Sequence, residues 1–148
     1  DVRTIGILYE VPEEADYVRF RSDVSQIQAE KIELKTLGLT RAKLPPHYCY
    51  PRLAFDYFGP REINWYGKPG GAKVAAFIRS DFDLIVNLSL SGNRVFDYIT
   101  AVSAARLKCG LYREEAVSCY DFMIRMSAPD QPEELMTQIV NWLKNLKA

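Results

Sequence analysis

The residues of this chain that could do chemistry are few, and most of them gather at turns. The clearest group is Asn87, Ser89, Ser91 and Asn93, in the run Asn87-Leu-Ser-Leu-Ser-Gly-Asn-Arg94. It follows an apolar stretch of strand length and precedes an amphipathic one. Free backbone N–H groups at a helix N-terminus, with hydroxyl and amide side chains beside them, make a natural seat for an anion. Lys68 and Arg94 would supply charge to a phosphate or nucleotide held there. The same residues also have a plain structural use. Ser91 or Asn93 can cap the helix by accepting from one of its unpaired N–H groups. The spacing suits either use.

Other combinations are weaker. Gly67-Lys-Pro-Gly-Gly-Ala-Lys73 has the composition of a phosphate loop but not the Walker order, and it follows no strand. No G-x-G-x-x-G follows the first apolar run, so no dinucleotide fingerprint is present and no cofactor is expected. Cys49, Cys109 and Cys119 are widely spaced and form no C-x-x-C, so neither a zinc site nor a redox dithiol is expected and no metal ligands are assigned. His47, the lone histidine, stands two residues before Cys49. A Cys–His nucleophile would need an orienting third group and an oxyanion hole that nothing here supplies. Asp81 with Asp83, and Glu114 with Glu115, are carboxylate pairs that solvated turns explain as well as acid–base work does. No catalytic residue is assigned. Trp65 and Tyr66, in a loop rich in proline and glycine, are interface candidates, because large aromatics often anchor interfaces. Burial under the loop is the commoner fate of such a tryptophan.

The elements that must position these groups follow from periodicity. Arg3 to Tyr9 reads as a strand apolar on both faces. Pro12-Glu13-Glu14 suits a helix start, and Tyr17, Phe20, Val24 and Ile27 make its inner stripe. Ile32 to Leu37 alternates and is polar enough for an edge strand. From Gly38 to Gly71 five prolines break the pattern, with Leu53 to Phe55 as a short strand. The many aromatic rings of this stretch predict a loop packed onto the body. Ala72 to Arg79 reads as a helix, Asp83 to Leu88 as a buried strand. Val95, Tyr98, Ile99 and Val102 mark the next helix, and Lys108 to Arg113 a further strand. Tyr120 to Met126 follows a short polar turn, which allows a hairpin and an antiparallel edge. Asp130-Gln-Pro-Glu133 opens a final helix.

The order predicts one domain over residues 1–148: a three-layer, Rossmann-like or flavodoxin-like α/β fold with an open, mainly parallel sheet. Lys plus Arg and Asp plus Glu number 19 each, so net charge gives no pull toward nucleic acid or an anionic membrane. The apolar runs are too short and too often interrupted by charge to span a membrane. The first residues lead straight into a strand without a signal-peptide pattern. Reduced, structural cysteines point to a cytoplasmic protein.

Four stretches together resemble an uncharacterised bacterial family of small Rossmann-like α/β domains. They are Tyr57-Phe-Gly-Pro-Arg-Glu-Ile-Asn-Trp-Tyr-Gly-Lys68, Phe82-Asp-Leu-Ile-Val-Asn87, Tyr98-Ile-Thr-Ala-Val-Ser-Ala-Ala-Arg-Leu-Lys-Cys-Gly110 and Tyr120-Asp-Phe-Met-Ile124. The Trp-x-Gly-Lys and Ile-Thr-Ala-x-Ser patterns carry most of the likeness. Trp65, Gly67, Lys68, Thr100, Ser103, Lys108 and Gly110 are the matching positions. Members tend to begin with a short basic segment, which this chain does not show. The resemblance implies a fold and no activity, so it transfers no catalytic residue. A looser likeness is to one Rossmann-like half of a two-domain sugar transferase, whose cleft needs a second half.

Three functions fit. One is a non-catalytic binding or scaffold module with a protein partner. Another is a binder of a small anionic ligand through the 87–94 turn. The third is an enzyme of the transferase kind.

Overall fold

The computed structural model describes residues 2–28, 31–42, 46–49, 54–89, 93–114 and 119–124. Strand β1 (Thr4–Glu10) is apolar on both faces and lies inside a six-stranded sheet. Helix α1 (Glu14–Gln28) follows, with Glu14 and Asp16 facing the positive end of its dipole. Tyr17, Val24 and Ile27 are buried beneath it and Phe20 packs beside them, the predicted stripe. Then come β2 (Glu33–Leu39), β3 (Phe55–Phe58), α2 (Ala72–Arg79), β4 (Leu84–Asn87), α3 (Arg94–Val102), β5 (Leu107–Leu111) and β6 (Phe122–Ile124).

The sheet order is β3-β2-β1-β4-β5-β6 and every pairing is parallel. This is the three-layer, Rossmann-like arrangement expected. α1 packs on one face over Ile5, Ile7 and Tyr9. α2 and α3 cover the other, where Val74, Phe77, Phe96 and Ile99 meet Leu8, Leu37 and Ile85. The two faces of each strand feed two apolar clusters, so the strands read as unbroken apolar runs rather than alternating ones.

Three expectations need correction. β2 is not an edge strand. It sits between β1 and β3, and the shorter β3 takes the edge. Its polar look comes from its first residues, where Glu33 and Lys35 are exposed, while Leu37 to Leu39 are buried.

The hairpin expected of the last two strands is absent. β6 runs parallel to β5, with Cys109 opposite Phe122 and Leu111 opposite Ile124. After Leu111 the chain returns to the amino end of the sheet before β6 begins. The Asp121 N–H donates to the Lys108 carbonyl at 2.8 Å, and the Asp121 carboxylate accepts from the Lys108 N–H at 2.8 Å. Those bonds pin the return and set the parallel register.

The inner stripe of α3 is rotated from the predicted one. Val95, Phe96, Ile99 and Thr100 are buried, while Val102 is exposed. The helix ends at Val102, and the Lys108 ammonium reaches its terminal turn at the Ala101 carbonyl, 3.1 Å away. The helix expected from Asp130 lies outside the described residues.

The described part of the 38–71 stretch beyond Ala54 is more regular than its prolines suggest. Tyr48, Phe55, Tyr57 and Phe58 do pack down on the body. Beyond β3, a 3₁₀ turn (Pro60–Glu62) leads into a short hairpin. Ile63 and Pro69 form its antiparallel bridge.

Candidate functional site

All strands being parallel, their carboxyl ends lie at one edge of the sheet. The order reverses between β1 and β4, and ligands of open α/β sheets bind at such a reversal. The expected residues Asn87 and Ser89 are there, both buried, together with Glu10. They are engaged with one another. The Ser89 hydroxyl donates to the Glu10 carboxylate at 2.7 Å, and the Ser89 N–H donates to Asn87 Oδ1 at 2.9 Å. The Asn87 amide donates to the Tyr120 hydroxyl at 2.7 Å, which donates in turn to Asp97 at 2.8 Å. Arg113 closes the chain with an ion pair to Asp97 at 2.5 Å.

The network thus links β1, β4, α3 and both ends of the β5–β6 connection. Gly110 makes room for it. A Cβ there would stand 2.7 Å from the Tyr120 ring, so the absence of a side chain lets the ring lie on the sheet. Burial pushes the Tyr120 hydroxyl up to about 12, against the opposing effect of the Asn87 amide. Tyr120 therefore stays protonated and can both donate and accept. Nothing in the sequence marks Asp97 and Tyr120 as partners of this group. Under a hairpin reading, Tyr120 has no route back over Gly110.

The capping residue of α3 is Asn93, whose Oδ1 accepts from the Val95 N–H at 2.9 Å. Ser91 lies outside the described residues. Arg94 is exposed at the first turn of α3.

The second candidate group stands beside this one. The Ile63–Pro69 hairpin is tightly made. The Gly67 N–H donates to the Asn64 carbonyl, the Asn64 N–H to the Lys68 carbonyl, and the Lys68 N–H to Asn64 Oδ1 at 2.8 Å. Gly67 adopts φ 87°, a left-handed conformation open to glycine at little cost. Ile63 packs on the α2–α3 core and Pro69 is buried, so the base of the hairpin is fixed. Its tip holds Trp65, 94% exposed, and Tyr66, 63% exposed, edge to face at 5.1 Å. The tryptophan is therefore outside the core, contrary to its commoner fate. Lys68 lies over the Tyr98 ring at 5.8 Å, and Tyr98 is one helical turn from Arg94. Lys68 and Arg94 are thereby brought onto one surface with Trp65 and Tyr66. The residues read from the sequence as two sites fall at one edge.

The remaining candidates separate. His47 is exposed and pairs with Glu14 at 2.8 Å, while Cys49 is buried and its thiol is pushed up by burial. No nucleophile dyad forms between them. Cys109, more deeply buried, is pushed up to about 12. Asp83 serves the amino end of the sheet, accepting from the Arg3 and Thr4 N–H groups. A cleft of about 140 Å³ near it, lined by Thr4, Glu33, Lys35, Ser80, Asp81 and Phe82, is small against pockets of roughly 300–1,000 Å³ that hold ligands. Among the described residues no group of three or more His, Cys, Asp or Glu side chains could hold a metal ion, and no helix is long and apolar enough to cross a membrane.

Fold and edge together define a Rossmann-like α/β domain whose described switch-point side chains bond to each other. Within that class, the chain belongs to a family of unknown function (DUF6913), whose model matches residues 1–146. No curated protein and no solved structure matches it.

Proposed function

We propose that the protein is a non-catalytic binding module that docks on a protein partner through the Ile63–Pro69 hairpin, with Trp65 and Tyr66 as anchors. The observation that carries this reading is a tryptophan 94% exposed at the tip of a hydrogen-bonded hairpin. An exposed tryptophan on a floppy loop would lose conformational freedom on binding. Here the backbone is already ordered, so less of the association free energy goes into fixing it. Tryptophan, tyrosine and arginine dominate the energetics of interfaces, and the nearby Arg94 and Arg61 are also exposed.

The small-anion reading draws on Lys68 and Arg94 standing at the same edge. Against it, Asn87 and Ser89 spend their polar atoms on Tyr120, Glu10 and each other. A ligand would have to break those bonds.

The test is a photocrosslinking amino acid placed at position 65 in cells, with position 28, exposed at the far end of α1, as control. Protein adducts at 65 and none at 28 are expected. No adduct at 65, with thermal stabilisation by phosphate or a nucleotide, would instead favour the ligand reading.

A further inference from the structure

We infer that the partner of the hairpin is a second copy of this chain, docked edge to edge about a twofold axis. This rests on the docking reading above and names its occupant. The first observation is where the charges stand. α1 leaves the carboxyl edge on one face of the sheet, and the hairpin and α3 flank the same edge on the other. The first face is acidic there: Glu13, Glu14 and Asp16 are exposed, with His47 against Glu14. The second is basic: Arg61, Lys68 and Arg94 are exposed. Among the described residues there, Asp97 is offset by Arg113 and Glu62 keeps its charge while hydrogen-bonded, which leaves the surface net positive. Glu62 accepts from the Gly59 N–H at 2.8 Å, and Asp97 is held by Arg113 and Tyr120.

The second observation is symmetry. A twofold axis running along the edge exchanges the two faces. It therefore sets the acidic turn of each copy over the basic hairpin of the other, and does so twice. Such an isologous contact closes at two copies, whereas a head-to-tail one would run on into a filament. Lys and Arg balance Asp and Glu at 19 each, so two copies do not repel as wholes. Attraction arises only in the orientation that pairs unlike faces.

The third observation is where the exposed apolar side chains lie. Of the exposed large apolar side chains among the described residues, Trp65, Tyr66 and Tyr112 stand at this edge and Val18, 58% exposed, lies one helical turn from Glu14, while Val102 and Leu107 lie toward the opposite end of the sheet. A partner's α1 thus offers Trp65 an apolar contact beside the carboxylate that would meet Lys68.

Sedimentation velocity across the micromolar range tests this. The chain should form dimers that weaken as salt is raised. Lys68→Glu with Arg94→Glu should raise the dimer Kd about tenfold or more, and Glu13→Lys with Glu14→Lys should do the same. An equimolar mixture of the two double variants should dimerise again, because in the mixed dimer one contact keeps its native signs and the other is restored with signs exchanged. These side chains are exposed, so circular dichroism should be unchanged, while melting should fall only slightly, because Glu14 faces the α1 dipole and Lys68 lies over Tyr98. The neutral Lys68→Gln with Arg94→Gln pair should weaken the dimer by a smaller factor. A chain monomeric throughout, or a dimer indifferent to both reversals, would overturn the inference. The position-65 adducts separate this from the docking reading. A product of twice the chain mass supports both. An adduct with a different protein sinks self-association and leaves docking intact, and no adduct sinks both.

Discussion

Tyr120 carries more of the carboxyl edge than any other single side chain. Its hydroxyl accepts from Asn87 and donates to Asp97, and its ring lies on the bare backbone of Gly110. Tyr120→Phe keeps the ring and removes both bonds. Asp97 retains Arg113, but the buried Asn87 amide loses its acceptor. An unsatisfied buried group of this kind costs about 1–3 kcal/mol, so the melting temperature should fall by several degrees. Tyr66→Phe, at an exposed position, should leave it unchanged. Equal melting of the two variants would mean that the network contributes nothing to the fold. Part of this group was readable from the sequence. Asn87 and Ser89 follow the most apolar strand and had to lie at a carboxyl end. Tyr120 was hidden because its role depends on β6 running parallel, which ten connecting residues leave undecided. Trp65 was readable as an anchor or as core. Only the fold of its loop separates the two.

At the scale of elements, periodicity located what burial dictates. α1 and α2 fall where their apolar stripes put them, since each buries one face against the sheet, and β4 falls where its unbroken apolar run puts it, buried on both faces. The pattern failed where bonds to distant chain decide. β2 looked like an edge until β3 paired with it, and the hairpin at Ile63–Pro69 carries no alternating apolar signal. That hairpin is held by Asn64 and by the left-handed Gly67 instead. Gly67→Val would force a β-branched residue into a conformation disfavoured by roughly 1–2 kcal/mol, and Asn64→Ala would remove the bond from the Lys68 N–H. The pair together should speed hydrogen exchange at positions 67 and 68, after correction for the intrinsic rate of the new residue, by about tenfold or more. Because the tip packs on little else, the melting temperature should move by only about 1–2 °C. Crosslinking from position 65 should fall with the loss of order. Unchanged exchange would show that the turn does not depend on these two residues.

For the molecule as a whole, the central pair β1 and β4 is tied at its amino end by one carboxylate. Asp83 accepts from the Arg3 N–H at 2.8 Å and from the Thr4 N–H at 3.2 Å, while its own N–H donates to Thr4 Oγ1 at 2.9 Å. The Arg3 N–H above all, then that of Thr4 and the nearby Arg106, holds the Asp83 carboxyl below the usual range, against the opposing effect of burial. A carboxyl whose pKa is lower in the folded chain than in the unfolded one binds its proton less readily when folded. It therefore stabilises the fold at every pH above the unfolded value. That stability fades as pH falls from about 4, the ordinary aspartate value, through the folded one. Asp83→Asn should cost about 1 kcal/mol at neutral pH, since one amide oxygen can replace Oδ2, which takes both N–H bonds, but without the negative charge that strengthens them. In acid the wild-type carboxyl is itself protonated. The gap between the two proteins, measured by denaturant unfolding at neutral pH and at about pH 3, should then narrow. A gap that stays constant would assign the acid sensitivity of the sheet to other carboxylates.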